Sequence, residues 1–118
     1  MAFTKEDALS RSAAKPTVVV FDKDWGDVHL RWPTFGEWHG LVVPHRKCTA
    51  AKEEASAELI ARTLAVCLAN PDGSRMLNDR EAEKLLERDH LPVMRVYMKC
   101  WETVLKFSED EVEERLGN

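Results

Sequence analysis

The segment Thr17–Asp22 carries three consecutive valines followed by Phe21. Branching at Cβ or an aromatic ring favours extended backbone at each of these positions, so the segment reads as a β-strand. Asp24, Gly26 and Asp27 surround Trp25 in a turn, and Val28–Trp32 follows with alternating character. Val28, Leu30 and Trp32 fall on one face and His29 and Arg31 on the other. Pro33 has no amide hydrogen to give to a ladder and ends the second strand. Together these features predict a β-hairpin closed by a loop of about five residues. An isolated hairpin is marginal in water. This one is apolar on both faces of its first strand, so both faces require cover. One can pack on the rest of the chain. The other face, or the unpaired strand edge, is left for a second copy or a partner chain.

The remaining sequence reads as helices, giving a mainly α chain with one β-hairpin (α+β), the two strands being followed by four to five helices. Thr34 and Glu37 form a capping box that opens a helix with Phe35, Trp38, Leu41 and Val42 at helical spacing, and Pro44 is expected to stop it. A basic loop, His45–Cys48, then leads to the longest helix, about Ala50–Ala69. Its stripe is Ala55, Leu59, Ile60, Thr63, Leu64, Cys67 and Leu68, with Glu58 and Arg62 paired outside. Asn70-Pro71-Asp72-Gly73 is a turn signal. Asn78 and Glu81 form a further capping box, opening a helix with Ala82, Leu85 and Leu86 inward. Pro92 fits the first turn of the next helix, whose apolar stripe is Met94, Tyr97, Met98, Trp101, Val104 and Leu105. Ser108 and Glu111 cap an acidic last helix ending near Gly117. Residues 16–118 read as one domain, with 1–15 a flexible or loosely docked segment containing a short helix capped by Thr4 and Asp7.

Composition narrows the class. At 118 residues, 44% hydrophobic and 32% charged, the chain has the make-up of one folded domain with an ordinary apolar core. A net charge of −4 opposes non-specific nucleic-acid binding, which draws its affinity from cations that displace counterions. Cys48, Cys67 and Cys100 form no CxxC pair, and an odd number implies at least one free thiol per chain. Reduced thiols in the cytoplasm are the expectation. Met1–Lys15 carries Lys5, Glu6, Asp7 and Arg11 without an apolar run, which points away from a signal peptide, and no stretch approaches the ~20 apolar residues that span a bilayer.

No residue set rises to an active site. His39, His45 and Cys48 are all zinc-binding types, but they lack a fourth ligand and a standard spacing. There is no GxSxG elbow, Cys67 and Cys100 lie on apolar stripes, and the five glycines are scattered rather than gathered in a phosphate loop. Binding is the better reading. Val19, Phe21, Trp25 and Trp32 of the hairpin are the candidate contact residues, Trp25 either as an interface anchor or folded back on the core. Met94 and Met98 supply either an adaptable groove or plain core.

The succession VVVFDKDWGDVHLRWPTFGEW resembles the tail assembly chaperones of long-tailed, non-contractile bacteriophages. The likeness continues through LIARTLAVCLANPDGSRMLNDREAEKLLE and ends in WETVLKFSEDEVEERLGN, covering roughly Val18–Asn118. It implies a protein without enzymatic activity or cofactor. Such a protein binds the helical, aggregation-prone tape measure protein, keeps it soluble and helps recruit tail tube protein. It would self-associate, act in the host cytoplasm and be absent from the finished virion. It carries over no residue-level site. The alternative is a small metal- or nucleic-acid-binding regulator using His39, His45, Arg46, Lys47 and Cys48.

Overall fold

A computed structural model describes residues 2–10 and 17–106. The expected acidic helix capped by Ser108 lies outside them. The order is α1 (Lys5–Ser10), β1 (Thr17–Asp22), β2 (Gly26–Arg31), α2 (Phe35–Ala50), α3 (Ala57–Cys67), β3 (Leu68–Ala69), α4 (Asp79–Glu83), a 3₁₀ turn (Lys84–Glu87) and α5 (His90–Glu102). The fold is α+β, with a three-stranded antiparallel sheet ordered β1-β2-β3.

The hairpin forms where the sequence places it, with Val18 opposite Leu30 and Val20 opposite Val28. Residues directly opposite share a face, so these four make the inner surface of the ribbon. Val28 and Leu30 are buried, and Val18 and Val20 pack against the same core. That core is completed by Leu59, Leu64 and Cys67 of α3 and by Val93, Val96 and Cys100 of α5. The loop is tighter than expected, because Asp22 already pairs with Gly26. Gly26 makes this possible at φ +82°, a backbone region costly for any side chain.

Four sequence expectations are corrected. Pro44 lies inside α2 rather than ending it, so His45–Cys48 is helix and not loop. The proline leaves the Gly40 carbonyl without its intrahelical donor. The turn beyond it is tied to α5 by the His45 ring, stacked on Trp101 at 3.9 Å between centroids, and the turn before it is held by burial of Leu41 and Val42. The next helix starts at Ala57 instead of Ala50. Lys52 takes a left-handed φ of 55°, breaking the chain there, and Ser56 recaps it by accepting from the Leu59 amide at 3.1 Å.

The third correction is β3. Leu68 and Ala69 leave the helix and pair with Leu30 and His29 of β2, so the hairpin is two strands of a three-stranded sheet. Residues 63–69 are all buried, and a run that is apolar on every side has no period to separate helix from strand. The turn beyond β3 closes as expected, the Gly73 amide donating to the Asn70 carbonyl at 2.9 Å. The chain then returns along β3, with Arg75 bridging Ala69 and the Met76 amide donating to the Leu68 carbonyl at 3.0 Å.

The fourth is the rotation of α5. It buries Val93, Val96, Tyr97 and Cys100, leaving Met94 and Met98 at the surface. Two apolar stripes lie side by side on this helix and meet at Tyr97: of the expected one, Trp101, Val104 and Leu105 still reach the core, but Val93, Val96 and Cys100 take the inward places expected of the two methionines. Leu86 is likewise exposed, because the tighter 3₁₀ turn does not carry it round to the side of Ala82. The Asn78–Glu81 capping box forms in full, and so does the Thr34–Glu37 box. Thr4 and Asp7 exchange two 3.1 Å hydrogen bonds at α1, while Phe3 and Leu9 stay exposed. No helix among the described residues is long and apolar enough to cross a membrane.

Candidate interaction surface

The two edges of the sheet differ. On the β3 side, Arg75 and Met76 cover the outer groups of the strand. On the β1 side, no described segment follows β1 in the strand order. Thr17–Asp22 contains neither proline nor lysine, the residues that commonly blunt an edge. Its outward face carries Val19, 53% exposed, and Phe21, 71% exposed. Among the described residues these side chains stand opposite His29 and Asp27, so each has a polar cross-strand neighbour there and no apolar one. Beside Phe21 a groove of about 400 Å³ opens between β1 and α5, walled by Val20, Phe21, Val96 and Met98 and rimmed by Lys23 and Lys99.

The other two expected contact residues lie elsewhere. Trp25 is folded back against the core, lining a hollow with Val28, Leu68, Leu77 and Leu85. Trp32 is 37% exposed, just past the end of β2. The two tryptophans thus sit at opposite ends of a six-residue ribbon, about 20 Å long. Val19 and Phe21 make one strip; Trp25 and Trp32 do not join it.

Each end of the ribbon is fastened by an arginine. At the turn, Asp22 is 4% exposed and accepts from the backbone amides of Asp24 and Trp25, both at 3.0 Å. Arg95 of α5 donates to its carboxylate through Nε at 2.7 Å and Nη2 at 3.3 Å, and reaches Asp24 as well. The Arg95 hydrogen bond is the largest influence on Asp22 and holds its carboxyl far below the usual range. Burial opposes this, and the two turn amides reinforce it. The same contacts raise the Arg95 pKa, so both partners stay charged. At the open end, Arg31 Nη1 donates to Glu37 of α2 at 3.1 Å and to the Val66 carbonyl at the end of α3 at 2.8 Å. For Glu37, burial pushes the pKa upward, but the Thr34 amide and the Arg31 charge outweigh it and the net shift is down.

Sequence reading missed Asp22, Arg95 and the Arg31 clamp. Asp22 carried a usable signal, since an aspartate two and three residues before the amides of a turn commonly accepts from them. Arg95 carried none, being 73 residues away.

Of the residues of the alternative reading, His45, Arg46, Lys47 and Cys48 are consecutive in α2 and His39 stands apart from them. His39 stacks near Phe35 at 6.0 Å between centroids, whereas His45 lies on Trp101. The two histidines are six positions apart in the helix, roughly 9 Å along the axis and on different faces. Burial lowers the His45 pKa, favouring the neutral ring. Among the described residues, no group of three or more His, Cys, Asp or Glu side chains is placed to hold a metal ion. Compared with known proteins, the chain matches no family model, no curated protein and no solved structure.

Proposed function

We propose that this chain is a binding protein that acts as a bacteriophage tail assembly chaperone. It binds the tape measure protein through apolar surface, keeps it soluble and helps recruit tail tube protein, working in the host cytoplasm and leaving the assembly before the virion is finished. The observation that carries the reading is the Val19–Phe21 strip. It lies on β1, which no described segment pairs on its outer side, and the other face of the sheet packs against the helical core. An exposed apolar strip set in a charged exterior is what a holder of aggregation-prone segments requires. The Met98 wall of the neighbouring groove adds a side chain able to adapt to varied apolar surfaces.

Co-expression with the tape measure protein of the same phage tests this. The tape measure protein is expected in the soluble fraction with the wild-type chain and in the pellet with Phe21→Lys. Equal insolubility with and without the wild-type chain would defeat the assignment.

A further inference from the structure

We propose that residues 107–118 of this chain dock as a helix into a cationic hollow between α2 and α5. The hollow measures about 440 Å³. Its apolar walls are Val42, Trp101 and Leu105, and Arg46 and Lys106 give it two permanent positive charges. Among the described residues no carboxylate lines it. It shares no lining residue with the groove beside Phe21, so the inference stands apart from the chaperone reading.

Charge identifies the occupant. The chain holds 21 acidic and 17 basic residues, a net charge of −4. Residues 107–118 contain Glu109, Asp110, Glu111, Glu113 and Glu114 against Arg115 alone. They carry the whole −4, and residues 1–106 are balanced. A hollow with two cations and no acid is complementary to such a segment.

The spacing within the segment fits as well. Ser108 and Glu111 predict a capping box, and Phe107 with Val112 supplies the hydrophobic staple that accompanies one. In the helix so opened, Glu109, Val112, Glu113 and Leu116 fall at i, i+3, i+4 and i+7, on one face. That face sets two carboxylates beside two aliphatic side chains, as the hollow sets two cations beside Val42 and Leu105. Lys106 itself lines the hollow, so the segment begins at its rim. A helix over residues 109–117 is about 14 Å long, and Val42 and Ala50, which both line the hollow, are about 12 Å apart along α2. Docked there, the segment lies against the His45–Trp101 stack and ties the part of α2 beyond Pro44 to α5.

Limited chymotrypsin digestion of the full chain tests the inference, with release of the peptide that begins at Ser108 followed by mass spectrometry. Cleavage after Phe107 reports how often the segment is undocked. Arg46 is exposed, so reversing its charge leaves the fold intact. Arg46→Glu and Glu113→Lys should each speed release about two- to fivefold, the range that one exposed ion pair supports. Raised salt should speed release from the wild type by screening the attraction. Arg46→Glu combined with Glu113→Lys should return the rate towards wild type. Arg80→Glu, the same charge change at an exposed residue of α4, should release the peptide at the wild-type rate. Equal rates for wild type, Arg46→Glu and Glu113→Lys overturn the proposal, as does a combined variant no slower than either single one. Protection that grows with chain concentration also overturns it, because the segment would then be seated on a second copy.

Discussion

Asp22 shows how one buried carboxylate can hold a turn and a helix together. Its oxygens accept from two turn amides and from Arg95, so removing its charge leaves the guanidinium without its nearest partner. Asp22→Asn keeps an acceptor for the amides but loses the ion pair, and should cost about 2–3 kcal/mol, read as a lower urea midpoint. The folded-state pKa lies below the unfolded value. The stabilisation is therefore complete above the ordinary carboxylate range and lost as the pH falls through and below it. Wild type and Asp22→Asn should differ at neutral pH and converge in acid. A gap that persists unchanged in acid would show that the charge is not what Asp22 contributes.

At the level of elements, α2 is the clearest test. A proline in a helix interior costs about 3 kcal/mol in an isolated helix. Here the His45–Trp101 stack and the burial of Val42 hold the helix together across Pro44. Pro44→Ala would return a donor to the Gly40 carbonyl and should raise stability by roughly 1 kcal/mol or more, seen as a higher melting midpoint; a lower one would mean that the pyrrolidine ring itself packs usefully. The same helix shows where sequence reading stops. The Thr34 and Asn78 capping boxes, the Asn70–Gly73 turn and the strand Thr17–Asp22 are legible because each depends on neighbours within a few residues. The passage of α2 through Pro44, the pairing of β3 and the choice between the two stripes of α5 depend on Trp101, on β2 and on the valine face. These partners lie far along the chain, where local spacing says nothing. The candidate surface was half legible for the same reason. Alternation puts Val19 and Phe21 on one face, but the distance between Trp25 and Trp32, and the inward turn of Trp25 onto Leu68 and Leu85, emerge only when the helices are in place.

For the molecule as a whole, net charge governs how much an open edge matters. Near the isoelectric point of about 5.6 the repulsion between copies vanishes, and proteins with little net charge associate most readily. Static light scattering should therefore rise as the pH is lowered from about 8 towards that point, and Phe21→Glu should suppress the rise by adding charge at the strip. Equal scattering from the two chains would place the sticky surface elsewhere.

The valine run also has a hidden ambiguity that the two arginines resolve. Sliding β1 by two residues along β2 would still set a valine beside Leu30, Val20 in place of Val18, while bringing Asp22 opposite Val28. It would also drag Asp22 off Arg95 while Arg31 stayed anchored to Glu37 and the Val66 carbonyl. The ionic fasteners thus act as alignment pins: they choose one frame for a ribbon whose run of valines alone would allow more than one.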